Sequence, residues 1–151
     1  EDKKLIMSDD PEFYYNVKTV TMSDVKRKIK RKGEFSVVFK VEPYSYRSDG
    51  LIEKEITSET LYNPYEFTYP VYRITGNGEC MLNINGKSVV ATIEDELTIL
   101  SQARLCYDKQ NNISNSSIAG EYDSLILQNG FNDISVSEGF VLNITPNWRT
   151  I

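Results

Sequence analysis

The sequence contains no histidine, and that absence removes much of ordinary enzyme chemistry. Ser-His and Cys-His nucleophile pairs, imidazole general bases, and zinc or iron sites that need imidazole are excluded. Only two cysteines occur, Cys80 and Cys106, too few for a structural zinc cluster. Each falls on the apolar side of a strand-like stretch, which favours buried free thiols over a disulfide. Long hydrophobic runs are also missing. Nothing approaches the roughly 20 apolar residues of a membrane-spanning helix, and Glu1-Asp2-Lys3-Lys4 lacks the apolar centre of a secretory signal. A soluble, untargeted chain without membrane insertion is expected, and a first residue other than methionine fits a fragment or a processed product.

Metal sites built from carboxylates alone, and two-carboxylate glycosidase sites, survive the lack of histidine. Neither has a nominee. Glu94, Asp95 and Glu96 are adjacent, but neighbours on an extended strand point to opposite faces, so the three read as a polar turn. Asp108-Lys109-Gln110-Asn111-Asn112-Ile113 departs from a calcium loop because Ile113 stands where the sharp-turn glycine belongs. No catalytic residue, metal ligand or cofactor is nominated, and a non-enzymatic role is expected.

What remains is the composition of one globular body: 151 residues, a net charge of -5, 40% hydrophobic and 26% charged. Asp9-Asp10-Pro11-Glu12 carries the signature of a helix start, with Asp9 as cap and Glu12 three residues on. After it the signals turn to strand. Asn16 to Ser23 alternates and is rich in β-branched residues, and Glu34 to Val41 places Phe35, Val37, Phe39 and Val41 on one face. Pro43 to Gly50 reads as an exit loop between two units, residues 1–46 and 47–151.

Beyond it, Asn85-Gly86 between two alternating runs is the strongest hairpin signal, since a two-residue primed turn needs positive φ at both positions. Further short strands are expected at Leu97 to Leu100, Leu105 to Tyr107, Ile134 to Val136 and Phe140 to Thr145. Strands at this spacing predict an all-β antiparallel sandwich or barrel, preceded by a short helix-plus-strand extension.

Two features suggest contact surfaces. Lys26, Arg27, Lys28, Lys30, Arg31 and Lys32 crowd around Ile29, a cluster able to meet phosphate. The chain as a whole is acidic and no aromatic residue interleaves the run, so a solvated tip or a patch for an acidic neighbouring subunit is favoured over nucleic acid. Tyr62, Tyr65, Tyr69 and Tyr72 cluster near the proposed boundary, where domain packing or subunit contact would use them. Trp148 reads as a core plug.

Several of these segments together resemble the distal tail protein (Dit) family of long-tailed phages and prophages. Pro70-Val71-Tyr72-Arg73-Ile74, Gly76-Asn77-Gly78, Ile84-Asn85-Gly86, an asparagine-rich polar loop and Ile144-Thr145-Pro146-Asn147-Trp148-Arg149 are similar to the C-terminal domain of that family in order and spacing. Ser8 to Tyr15, and Gly33-Glu34-Phe35 leading to Glu42-Pro43-Tyr44-Ser45-Tyr46, are similar to the end of its N-terminal domain. The resemblance implies a virion protein of the tail tip with a galectin-like second domain. It further implies a hexameric ring when full-length, which joins the tail tube protein to tail-associated or receptor-binding proteins. An alternative is a carbohydrate-binding module that touches host wall polysaccharide through surface tyrosines. Galectin-type sugar sites use a histidine-containing strand, which this sequence lacks.

Overall fold

The computed structural model describes residues 3–24, 26–29 and 32–151. Among them, regular structure is antiparallel strand apart from three single turns of 3-10 helix. The organising element is the hairpin of β8 (Val71–Ile84) and β9 (Lys87–Leu100), paired along its whole length around Asn85-Gly86. Asn85 and Gly86 take φ of 53° and 78°, the primed turn that the Asn-Gly pair predicts.

The outer neighbours of this hairpin change along its length. β8 pairs with β13 (Val141–Thr145) over Val71 to Thr75, and with β12 (Gly130–Val136) over Leu82 to Ile84. β6 (Lys54–Ile56) continues the first group beyond β13, and β7 (Ser58–Asn63) continues the second beyond β12. On the other side, β9 carries β10 (Leu105–Asp108) near one end and the two-residue β11 (Ile118–Ala119) near the other. One hairpin thus serves both layers of a β-sandwich.

Alternation decides what lies between the layers. Tyr72, Ile74, Cys80, Leu82 and Ile84 of β8 and Val89, Ala91, Ile93, Leu97 and Ile99 of β9 point inward and belong to one continuous buried cluster. Ile134, Leu142 and Ile144 join them from β12 and β13. Each such aliphatic side chain contributes roughly 1.5–3 kcal/mol when fully buried, so the stability of the molecule resides here. Both cysteines are buried free thiols in this core, and burial pushes both up from the usual thiol pKa.

The bend of the hairpin lies where Gly76-Asn77-Gly78 faces Glu94-Asp95-Glu96. Gly76 and Gly78 take φ of 153° and 110°, Asp95 takes 75°, and the Asn77 side-chain oxygen accepts the Asp95 N–H at 3.1 Å. The acidic triplet is therefore no turn but the inside of one long strand. A ladder that continues across it joins the two expected strands, and an Asx bond absorbs the irregular residue.

The N-terminal part differs more from expectation. β1 (Lys3–Met7) and β2 (Asp10–Met22) form a hairpin closed by Ser8-Asp9, and the expected helix start at Asp9 is absent. Met7 pairs directly with Asp10, and the register shifts at Ile6/Met7. Pro11 tolerates the strand because no β1 residue pairs with it at that irregularity. β5 (Val37–Arg47) runs through Pro43 to Tyr46, where an exit loop is expected, and a single 3-10 turn at Ser48–Leu51 follows. The closing strand β14 (Arg149–Thr150) returns to pair with β5, giving a second sheet in the order β1-β2-β5-β14. Its buried hydrophobic residues are Tyr14 and Tyr46, stacked with ring centroids 5.5 Å apart.

Gly76 offers a direct test of how the bend is held. A Cβ built there would lie 2.3 Å from the Phe140 ring, whereas one on Gly78 would meet nothing within 4 Å. Gly76→Ala should cost about 2–4 kcal/mol in urea denaturation, and Gly78→Ala about 1 kcal/mol from backbone strain alone. Equal losses would show that the Phe140 contact does not matter.

Candidate interaction surfaces

The far half of the β2–β5 pair is a ribbon without sandwich support. β1 reaches only to Val17, and β14 covers only Ser45 and Tyr46, so beyond these points both edges are unpaired among the described residues. Val20 faces Phe39 and Met22 faces Val37 across the ribbon. Alternation puts these four on one face, extended by Val41, and all five are exposed, Met22 by 65% and Phe39 by 44%. Phe35 is exposed at the open end, where the Ser23 N–H donates to the Ser36 carbonyl at 2.9 Å. A two-stranded ribbon is marginal by itself, and a contiguous exposed apolar face of this kind marks a contact site.

Beyond this end lies the short hairpin of β3 (Lys26–Ile29) and β4 (Lys32–Glu34), which carries the basic run. Lys26 is exposed and pairs in register with Glu34; Arg27 and Lys28 lie on β3 and Lys32 opens β4. Lys30 and Arg31 lie outside the described residues. The sequence concentrates six of its 17 basic residues between positions 26 and 32, so the rest of the chain is more acidic than its net charge of -5.

At the other end, the ribbon sheet joins the sandwich through aromatic and guanidinium contacts. Arg149 on β14 is 5% exposed. Its guanidinium carbon lies 4.1 Å from the centroid of Tyr44, 4.5 Å from Phe67 and 4.8 Å from Tyr69, while Nε donates to the Phe67 carbonyl at 2.8 Å. Tyr69 is therefore half-buried at this junction. Tyr65 is too: its hydroxyl oxygen accepts from Arg47 Nη1 at 2.7 Å, and its ring meets Phe13 edge-on at 6.4 Å. Tyr62 alone of the three candidate tyrosines faces solvent, on β7 against Phe131. Tyr72 is fully buried, with its hydroxyl donating to the Leu125 carbonyl at 2.6 Å.

Trp148 is buried as expected, and its backbone nitrogen would lie 2.5 Å from a Cβ on Gly50. Arg47 N–H also donates to the Trp148 carbonyl, and Asn147 N–H to the Gly50 carbonyl. The segment around Trp148 is clamped against the end of β5.

Glu42 sits beside the junction, at a cleft of about 470 Å³ that Asn16, Lys18, Tyr69 and Gln102 help to line. Its carboxylate pairs with Lys18 and accepts from the Asn16 amide at 3.1 Å and the Tyr46 hydroxyl at 2.8 Å. The Lys18 hydrogen bond, outweighing a smaller effect of burial, holds this carboxyl below its usual range. Burial first, and then the Glu42 contact, push the Tyr46 hydroxyl up to about 12.

No protein-family model and no curated protein matches the sequence. Among solved structures, the chain is similar to the crystal structure of the Dit protein of phage SPP1, described as a paradigm of the hub adsorption apparatus in phages that infect Gram-positive hosts. The TM-score is 0.70 at 12% sequence identity, over 99% of this chain and 65% of that one. The fold is Dit-like. In this Dit-like frame Pro70 to Ile74 opens β8, Asn85-Gly86 turns the central hairpin, and Ile144 to Arg149 runs from β13 to the clamp at the junction. The chain spans 65% of the length of that solved chain.

Sequence reasoning missed Arg149, Glu42 and Phe131 as contact-forming residues. Phe131 had a readable signal: in Phe131-Asn132-Asp133-Ile134, the alternation that buries Ile134 sends Phe131 outward. Arg149 had none, because Tyr44, Phe67 and Tyr69 all lie far from it in sequence, Phe67 by 82 residues.

The junction makes two expectations. Arg149→Ala should destabilise by about 2–4 kcal/mol, and Arg149→Lys should recover less than half of the loss, because lysine lacks the planar group that fits between three rings. Equal unfolding midpoints for wild type and Arg149→Ala would remove the clamp. A carboxyl with a depressed pKa stabilises the fold above its ordinary value and loses that contribution as pH falls through the folded value. The melting-temperature gap between wild type and Glu42→Gln should therefore be widest near neutrality and close on acidification below about pH 4; a gap independent of pH would refute the role of the charge.

Proposed function

We infer that this chain is part of a structural hub of a phage or prophage tail, assembled at the tail tip between the tube and the host-recognition proteins. The observation that carries this reading is the backbone likeness to SPP1 Dit, a hub protein, over 99% of the chain. The surfaces agree with it. The chemistry available is adhesive: an unpaired apolar ribbon, a concentrated cationic tip, and a rigid sandwich behind them.

On this reading residues 1–46 are the last strands of a ring-forming domain and residues 47–151 the galectin-like domain that follows it. The ribbon face at Val20, Met22, Val37, Phe39 and Val41 packs in the ring, and the basic tip meets the acidic body of the next copy. A head-to-tail contact of this kind closes a ring when the rotation between copies allows it, and six copies are what the family resemblance implies. Burial of the ribbon supplies the affinity, and the charges supply direction and register.

Native mass spectrometry of the full-length protein tests the assembly. A hexamer is expected at low salt, weakened by added salt because the tip contributes through screened charges. Val20→Lys with Phe39→Lys should leave smaller species, while each protomer keeps its far-ultraviolet circular dichroism. A wild-type protein that stays monomeric at tens of micromolar would defeat the reading.

A further inference from the structure

Phe131 is the most exposed aromatic side chain among the described residues, at 74%, and it lies on the outer face of the sandwich, in a different sheet from the ribbon. Tyr62 stands directly opposite on β7 and is 54% exposed. Their ring centroids are 4.9 Å apart with planes tilted by 51°. No part of the ribbon or the basic tip explains this pair. Two adjoining exposed rings offer a small apolar face on which a ligand can stack.

The surroundings say what kind. Alternation puts Thr60 and Asp133 next to the aromatic pair on the same outer face, with the Thr60 hydroxyl donating to Asp133 Oδ1 at 2.9 Å. Asp133 is further fixed through its backbone: its N–H donates to Asn85 Oδ1 and its carbonyl accepts the Asn85 N–H, both at 2.9 Å. Two rings are thus bordered by a positioned carboxylate and a hydroxyl.

Area and charge choose between occupants. Two partly exposed rings offer on the order of 250 Å², against about 800 Å² per partner in a standard protein interface. Apolar surface ends where the polar border begins. The pad is therefore too small and too wet at its edge for a stable protein partner, yet matches one or two sugar rings. Pyranose rings present C–H faces to aromatic rings and hydroxyl groups to carboxylates and amides. The Asp133 carboxylate and the chain's net charge of -5 disfavour polyanions.

We propose that Tyr62 and Phe131 form a stacking pad for neutral pyranose oligosaccharide, with Asp133 accepting hydrogen bonds from the sugar hydroxyls. This site is independent of the assembly surface, and its failure would leave the hub reading standing.

The test is a heteronuclear NMR titration of the 151-residue chain with cellohexaose, maltohexaose and chitohexaose, each to about 10 mM, a range that reports Kd values near 1 mM. At least one should give saturable shifts centred on Tyr62, Phe131 and Asp133, weakened at least tenfold by Phe131→Ala and by Tyr62→Ser, and unchanged by Phe35→Ser on the ribbon. The same spectra verify that each variant is folded. Absence of saturable shifts with all three sugars, or shifts that survive both pad substitutions, would overturn the proposal.

Discussion

The structure depends on the uninterrupted ladder between β8 and β9. Fourteen residues of β8 face fourteen of β9, and no other pair of elements in the described chain approaches this length. Because the ladder survives the bend at Gly76-Asn77-Gly78, the two layers of the sandwich need no separate crossover to stay in register. Period-two alternation continues through the bend, so Tyr72 and Ile84 face the same interior from opposite layers. Remaining strands attach to this hairpin and inherit its register.

The N-terminal sheet obeys a different economy. Its buried hydrophobic residues amount to one tyrosine stack, and most of the ribbon's apolar side chains stay in water. Such a sheet cannot supply its own core, and it is held by what lies at its base: the Arg149 clamp, the Arg47–Tyr65 contact and the Glu42 network. A rigid base thus carries an exposed apolar end.

Much of the sandwich was legible because its signals are local. Asn85-Gly86 specifies a turn by φ alone, the flanking alternation specifies which faces are buried, and Trp148 and the two cysteines went inward as their patterns indicated. The failures share a cause. Asp9-Asp10-Pro11-Glu12 has helix-start chemistry, but pairing of the neighbouring residues with β1 and β5 overrides it. Pro43 and its serine and tyrosine neighbours look like a loop until β2 and β14 pair with Ser45 and Tyr46 from either side. Of the contact surfaces, the basic tip was visible as composition. The junction was not, because three aromatic rings around one guanidinium leave no spacing rule in the chain.

The pairing of β14 with β5 sets an order on biosynthesis. Ser45 and Thr150, joined across this pair, are 105 residues apart in sequence, so at about 5–20 residues per second the ribosome takes several seconds or more to deliver the second after the first. During that interval β5 has an open edge and the Arg149 clamp is missing, while the sandwich strands emerge and can condense among themselves. The ribbon sheet therefore receives its last strand and its clamp only after every strand of the sandwich has been synthesised.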